Sequence, residues 1–264
     1  MLRFQKLQAT GNDFLILEGN PAELSEEQRR RLCDRHFGIG ADGIIAVEPI
    51  KLLPTSSRGI LRMRYWNADG REGTFCGNGA RAAAWIGYQQ WRLQKLLLNA
   101  ADGLHKALLL STEPPLISVQ LFVYQIPVSL GRGRWFVHTG SPHVLIETGR
   151  EDLERVRLLE EAPPLRWDTT HDLGGVNVSF FASNGEGKWK IRTYERGVEA
   201  ETLSCGTACV ALAALTGMNQ IQIETKGGLL RICRVSKREF WLIGPVDAVF
   251  HGCYTGSLEP LSYF

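Results

Sequence analysis

The strongest constraint on the fold of this chain is a segment that occurs twice. Residues 64–78 read RYWNADGREGTFCGN, and residues 192–207 read RTYERGVEAETLSCGT. Each copy has a strand-like stretch, a polar turn that contains Glu, a Cys-Gly pair and then an alanine-rich helical stretch. The offset from Cys76 to Cys205 is 129 residues, about half of the 264. An offset this long indicates duplication of a whole domain and not a short-period repeat.

The pattern of turns and apolar residues divides the chain into two halves. Pro114 and Pro115 mark a boundary, which predicts a first domain over 1–114 and a second over 115–254. Helices are predicted over 25–36, with Ser25 and Gln28 in a capping box, over 80–91 and over 205–217. The pair Pro163-Pro164 predicts a loop.

Composition and charge exclude several classes of protein. The net charge is +2 and no basic stripe is present, so a nucleic-acid partner is not expected. No run approaches the ~18 apolar residues that span a bilayer, so a membrane span is not expected either. The first residues, MLRFQKLQATGNDF, do not have the pattern of a secretory signal. The six cysteines are therefore expected to be reduced, in a cytoplasmic protein.

Each Cys-Gly pair stands at the predicted start of a helix, where a reactive thiol and an anion-binding site would lie side by side. A thiol at a helix N-terminus is expected to have a lowered pKa, and the free backbone N–H groups there bind carboxylates. Two such sites acting on one α-carbon, with one thiolate removing the proton and one thiol returning a proton to the opposite face, would invert it. Backbone donors would stabilise the enolate by roughly 3 kcal/mol each, so no cofactor such as pyridoxal phosphate is required.

The remaining candidate motifs have simpler interpretations. Cys209 lies one turn after Cys205 and no zinc-like spacing accompanies it, so core packing is expected and no metal site is predicted. Core packing is also expected for Cys33, Cys233 and Cys253. The segment Gly38–Gly43 matches G-x-G-x-x-G, but it follows a helix and precedes a strand, the reverse of a dinucleotide-binding context.

Eight blocks of the chain resemble one family, the diaminopimelate epimerases, over nearly the full length. The blocks are Thr10–Phe14, Gly38–Gly43, Asn67–Gly70, Cys76–Arg81, Ser141–His143, Gly175–Asn177, Tyr194–Gly197 and Glu201–Thr207. The resemblance implies an α+β fold of two pseudo-symmetric domains, each a curved mixed sheet or barrel around a central helix. It also implies that the active site lies between the domains, that residues 255–264 join the first domain, and that the protein is a homodimer.

The resemblance further implies a site and an activity. The activity is interconversion of LL- and meso-diaminopimelate without a cofactor, on the route to lysine and cell-wall precursors. Cys76 and Cys205 are the implied acid and base, assisted by His143 and Glu195. Arg196 would pair with the distal carboxylate, whose geometry suits an arginine fork. The implied substrate-binding positions are Asn12, Asn67, Gly77, Asn78, Ser141, Asn177, Glu195, Arg196, Gly206 and Thr207.

Three departures from the family pattern keep other functions open. Ser141 stands where many members have Asn, the turn Arg196–Glu201 is one residue longer, and Ala208 replaces a common Gly. A racemase of another amino acid, such as histidine, is the alternative within the fold. A thiol-redox protein or a non-catalytic binding protein is the alternative of another class, and it would require a disulfide between Cys76 and Cys205 as the working state.

Overall fold

The structure is a computed structural model that describes residues 1–73, 75–168 and 174–258. Its first strands and helices are β1 (Leu2–Ala9), β2 (Asn12–Leu17), α1 (Glu26–Cys33), β3 (Gly43–Leu53), β4 (Arg58–Asn67), α2 (Gly77–Trp91), β5 (Lys95–Ala100), β6 (Gly103–Thr112) and β7 (Pro115–Phe122). Next come β8 (Gln125–Gly131), β9 (Arg134–His138), β10 (Pro142–Glu147), α3 (Arg150–Arg155), α4 (Leu158–Glu161), α5 (Pro163–Arg166) and β11 (Asn177–Ser183). The last are β12 (Lys188–Glu195), β13 (Ala200–Thr202), α6 (Gly206–Thr216), β14 (Gln220–Thr225), β15 (Gly228–Arg234), β16 (Glu239–Pro245) and β17 (Asp247–Tyr254). Short 3-10 helices span Pro21–Glu23 and Pro54–Ser56.

The chain forms two compact units. Unit 1 contains Met1–Ile117 and the chain from Pro245 onward, and unit 2 contains Ser118–Gly244. Strand β17 belongs to unit 1 because it pairs antiparallel with β1. The predicted second domain, 115–254, includes this strand, whereas the structure places it in unit 1. Of the segment 255–264, residues 259–264 lie outside the described residues.

The two units repeat one order of strand pairing. In unit 1, β1–β2, β3–β4 and β5–β6 are antiparallel, whereas β2–β3 and β4–β5 are parallel. In unit 2, β9–β10, β11–β12 and β14–β15 are antiparallel, whereas β10–β11 and β12–β14 are parallel. A parallel pair needs a crossover connection. The second crossover is α2 in unit 1 and α6 in unit 2, and each of these helices begins at a Cys-Gly pair.

Each central helix is buried within the sheet of its own unit. Helix α2 contacts β1–β6, and α6 contacts β8, β10, β14 and β15. Position 87 of α2 favours glycine, because a Cβ added at Gly87 would lie 2.9 Å from Leu61 Cδ1. Helix α6 is apolar on all sides and is buried from Ala208 to Ala213, as expected for a helix in the core of its unit. The predicted α+β class, with curved mixed sheets around central helices, is confirmed.

Local structure agrees with several predictions and corrects others. Ser25 caps α1 and forms the predicted capping box with Gln28, but the helix ends at Cys33 because Asp34 accepts the next backbone N–H groups. The loop predicted at Pro163-Pro164 is wrong: both prolines lie in the first turn of α5, where a missing N–H costs nothing. Among the described residues, no helix is long and apolar enough to cross a membrane, and no group of side chains is arranged to hold a metal.

Candidate active site

Cys76 is the N-cap residue of α2. Its backbone is extended and its Sγ accepts the Gly79 N–H at 3.3 Å, so the thiol takes the place of a capping oxygen. The first backbone N–H groups of a helix have no acceptor within that helix. Those of Gly77 and Asn78 therefore stand next to a half-buried thiol, as the sequence predicted.

A hydrogen-bonded pair of asparagine side chains lies beside Cys76, and one of the two contacts its thiol. Cys76 Sγ donates to Asn12 Oδ1 at 3.6 Å, and Asn78 Nδ2 donates to the same oxygen at 3.4 Å. Asn12 reaches this place because Thr10 and Gly11 both have positive φ, which produces a tight hairpin with Asn12 as the first residue of β2. The structure thus brings Asn12, Asn78 and Cys76 together.

Asn67 lies outside this hydrogen-bonded group. It is the exposed last residue of β4, and its carbonyl accepts the Gly70 N–H at 2.9 Å to close the predicted turn. Its side chain lies over Gly73, where an added Cβ would be 3.2 Å from Asn67 Nδ2. In this structure Asn67 therefore closes a turn at the end of its strand.

Cys205 is the N-cap residue of α6, but its environment differs from that of Cys76. Its side chain is buried, with Thr207 Oγ1 at 3.4 Å from Sγ. Burial raises the pKa of the Cys205 thiol well above its ordinary value, and the Glu195 carboxylate raises it further. The Thr207 hydroxyl and the Ala208 N–H act in the opposite direction but do not prevail. The expectation that a helix start lowers the thiol pKa is therefore wrong at Cys205.

A small polar network stands beside Cys205. His143 Nε2 lies 2.9 Å from Ser141 Oγ and 3.1 Å from Thr207 Oγ1, and Ser141 Oγ donates to Thr207 Oγ1 at 3.2 Å. His143 is fully buried, which lowers its pKa to about 3, and the nearby His138 and Arg196 lower it as well. Its imidazole is neutral at physiological pH and can take part in proton exchange with the hydroxyls.

The residues after β12 are organised by Asn177. The Asn177 Oδ1 accepts the backbone N–H of Arg196 at 2.8 Å, and its Nδ2 donates to the Pro142 carbonyl at 3.1 Å. Arg196 Nη1 donates to Gly175 O at 3.3 Å, and Glu195 Oε2 accepts from Thr202 at 3.0 Å. Asn177 thus connects the start of β10 to the Arg196 turn.

Sequence reasoning missed four residues that support these groups. Asp42 accepts from Asn12 Nδ2 at 2.8 Å, and Arg81 donates to Asn78 Oδ1 at 2.7 Å. In unit 2, Glu199 Oε1 accepts from the buried Arg166 at 2.6 Å. The sequence carries a signal for Asn12 and Ser141, because Thr10-Gly11-Asn12 and Thr139-Gly140-Ser141 are separated by the same offset of 129 as the cysteines, but that signal marks none of these four residues.

Solved structures share this fold. A protein from Pseudomonas aeruginosa described as a predicted epimerase superposes with a TM-score of 0.69 at 17% identity, covering 97% of this chain and all of the other. Curated relatives are closer in sequence. The diaminopimelate epimerase of Flavobacterium psychrophilum is 34% identical, covering 94% of this chain and 98% of the relative, and that of Chlorobaculum tepidum is 33% identical, covering 94% and 100%.

Fold, site and relatives together define an isomerase, an enzyme of the epimerase class. The sequence profile named for diaminopimelate epimerase matches residues 4–108 and 135–247. The chain belongs to the diaminopimelate epimerase family.

Proposed function

We propose that this enzyme inverts the α-carbon of LL-diaminopimelate to produce meso-diaminopimelate, without a cofactor. One observation carries the proposal. Cys76 and Cys205 are N-cap residues of the corresponding central helices in two units that repeat the same strand pairing. Each thiol thus has the backbone N–H groups of a helix start beside it, and these favour a carboxylate.

The reaction needs one base and one acid on opposite faces of the α-carbon. One cysteine, as thiolate, takes the α-proton, and the electron pair left on carbon is delocalised into the carboxylate. The other cysteine, as thiol, gives its proton to the opposite face. The first cysteine ends as thiol and the second as thiolate, so the reverse reaction uses the same groups with exchanged roles.

The surroundings of Cys205 suit the role of proton donor. Its burial and the neighbouring Glu195 favour the thiol over the thiolate. His143 assists through its hydrogen bond with Thr207, the residue whose hydroxyl contacts Cys205. Glu195 assists through its negative charge, which opposes formation of the Cys205 thiolate.

The substrate carboxylate at the reacting centre is held by the N–H groups of Gly77, Asn78, Gly206 and Thr207. Arg196 provides a guanidinium for the distal carboxylate, and a planar fork of donors matches such a group. Asn12, Asn67, Ser141, Asn177 and Glu195 complete the set of substrate-binding positions. A place in lysine and cell-wall precursor biosynthesis, a homodimeric state and a cytoplasmic location are part of the same proposal, and membership of the family supports them.

The test is incubation of the reduced enzyme with LL-diaminopimelate in D₂O, with the α-proton followed by NMR. Deuterium should enter the α-position of a meso product, and Cys76→Ala and Cys205→Ala should each abolish inversion. Cys209→Ala is the matched control, because this thiol lies one turn further along α6 and is buried in the core. Inversion of histidine and not of diaminopimelate would favour the alternative substrate, which Ser141 keeps open. No exchange with any amino acid would overturn the catalytic proposal in favour of a redox or binding role.

A further inference from the structure

The side-chain amide of Asn12 lies within a chain of hydrogen bonds whose two ends have opposite charge. Arg81 Nη2 donates to Asn78 Oδ1 at 2.7 Å, and Asn78 Nδ2 donates to Asn12 Oδ1 at 3.4 Å. Asn12 Nδ2 then donates to Asp42 Oδ2 at 2.8 Å. All four residues belong to unit 1.

The charged ends decide which way the two amides face. A guanidinium has only donors and a carboxylate has only acceptors. Asn78 must therefore turn its oxygen to Arg81 and its nitrogen to Asn12, and Asn12 must turn its nitrogen to Asp42. As a result Asn12 presents its oxygen to the Cys76 thiol, which donates to it at 3.6 Å.

Both ends of the chain are themselves fixed. The second carboxylate oxygen of Asp42 accepts from Arg35 at 2.8 Å, and the Asp42 N–H donates to Asp13 Oδ1 at 2.9 Å. Burial raises the pKa of the Asp13 carboxyl, but hydrogen bonds from Arg35 and Lys6 outweigh it, so its pKa lies below the ordinary value and it stays ionised. The Asp42 carboxylate is thus held in place by groups that do not touch Cys76.

The opposite end is anchored in the core. Arg81 is fully buried in α2, and the same Nη2 that donates to Asn78 also donates to Thr10 Oγ1 at 2.9 Å. Thr10 is in the tight turn that precedes Asn12. Arg81 therefore holds both the amide next to Asn12 and the turn from which Asn12 projects.

We propose that Asp42 is a positioning residue that fixes the orientation of the Asn12 amide, so that an acceptor oxygen and not an amide N–H faces Cys76. An acceptor beside Sγ favours the thiol, whereas an N–H donor there would favour the thiolate. Asp42 thereby sets how readily Cys76 loses its proton. A role for this oxygen toward the substrate rests on the proposed function, but the effect on the thiol does not.

Three variants separate this role from alternatives. Asp42→Ala removes the acceptor for Asn12, and Asp42→Asn removes the charge but keeps a side-chain oxygen in the same place. Arg35→Ala removes a second side-chain partner of the same carboxylate, together with the ion pair to Asp13, and leaves the contact with Asn12. Asp42 and Arg35 are 43% and 55% exposed at their side chains, so all three variants are expected to fold, which thermal unfolding will check.

The first measurement is the rate at which iodoacetamide alkylates Cys76 between pH 6 and 9, read by mass spectrometry of the Cys76 peptide without substrate. Asp42→Ala should accelerate alkylation at pH 7 about fivefold, the worth of one hydrogen bond. Asp42→Asn should show a smaller change, and Arg35→Ala should not accelerate it. Equal acceleration by Asp42→Ala and Asp42→Asn would show an effect of charge alone, and acceleration by Arg35→Ala would show a general loosening of the loop. Either result overturns the proposal.

The second measurement is turnover of LL-diaminopimelate by the same variants. Asp42→Ala should lower kcat/KM, with Asp42→Asn restoring most of the loss. If the unmodified enzyme does not turn over diaminopimelate, the proposed function fails, and the alkylation profile still decides the role of Asp42.

Discussion

Ser141 donates a hydrogen bond to Thr207 across 66 residues, and the same interval separates Asn12 from Asn78, which are hydrogen-bonded in the other unit. In each pair the second residue lies two positions after the N-cap cysteine. The chemistry of the pairs differs, because amides between charged groups flank Cys76 whereas hydroxyls and a neutral imidazole flank Cys205. The duplicated scaffold therefore surrounds its two N-cap thiols with different groups.

Thr207 should tune the reactivity of Cys205 through its hydroxyl. Its Oγ1 lies 3.4 Å from Sγ, and this contact lowers the pKa of a thiol that burial raises. Thr207→Val keeps the shape but loses the hydroxyl, so the pKa of Cys205 should rise further. We expect iodoacetamide to alkylate Cys205 about fivefold more slowly at pH 8, on the basis of one lost hydrogen bond. Thr207→Ser retains the hydroxyl, so Cys205 in this variant should be alkylated at the same rate as in the unsubstituted protein. Equal rates for the Val and Ser variants would contradict this role.

Glu195 should affect the pKa of Cys205 in the opposite direction to Thr207. After burial, its carboxylate is the largest cause of the raised pKa of Cys205. Glu195→Gln removes the negative charge, so the pKa should fall and alkylation of Cys205 at pH 8 should be several-fold faster. Glu186→Gln removes an exposed carboxylate of the same unit and should leave the rate unchanged. A slower rate in Glu195→Gln would mean that Glu195 stabilises the thiolate and would reverse its assigned role.

The sequence predicted those parts of the fold that depend on local pattern. The repeated Cys-Gly segments predicted duplicated units with a helix starting at each cysteine, and Ser25 with Gln28 predicted a helix start that the structure has. Such signals lie within a few residues of one another. By contrast, β1 and β2 carried no assignment, although Thr10-Gly11 between them forms the tight hairpin turn.

The sequence alone does not predict which residues form hydrogen bonds around each thiol, because those residues lie far apart in the chain. Asp42 and Arg81 lie within blocks that resemble the family, but they meet the Asn12–Asn78 pair only after the sheet and α2 have come together, and the sequence pattern does not predict those contacts. The raised pKa of Cys205 has the same origin. A helix start favours the thiolate, but the enclosure of α6 removes water from the thiol, and burial outweighs the dipole.

His143 should make the stability of the protein sensitive to acid. Burial, together with His138 and Arg196, lowers its pKa to about 3 in the folded state, whereas a histidine in the unfolded chain has a pKa of about 6.5. Between these values the unfolded chain binds a proton at this position that the folded protein does not. The free energy of unfolding should therefore fall as the pH drops from about 6.5 toward 3, by at most about 1.4 kcal/mol per pH unit from this residue.

Urea unfolding of His143→Gln at pH 4.5, 5.5, 6.5 and 7.5 checks this expectation. The variant should lose stability less steeply than the unmodified protein below pH 6.5. His36→Gln replaces an exposed histidine and should keep the original slope. If His143→Gln also keeps the original dependence of the free energy of unfolding on pH, His143 is not the source of the acid sensitivity.

Glu199 should hold the Arg196 turn in its functional shape. This residue of the Arg196–Glu201 turn has a positive φ, accepts the Gly197 N–H at 2.9 Å and pairs with Arg166, whose side chain is only 4% exposed. Arg166 also donates to the Gly174 carbonyl, and its own carbonyl accepts the Val176 N–H. Glu199→Ala would leave a buried guanidinium without its carboxylate. Because Glu199 is partly exposed, we expect a loss of about 2 kcal/mol in the free energy of unfolding, below the range for fully buried pairs.

If Arg196 binds the distal carboxylate, KM for diaminopimelate in Glu199→Ala should rise more than kcat falls. Val198→Ala changes an exposed residue of the same turn and should leave both KM and stability near their original values. A Glu199→Ala variant with unchanged KM would separate the turn from substrate binding.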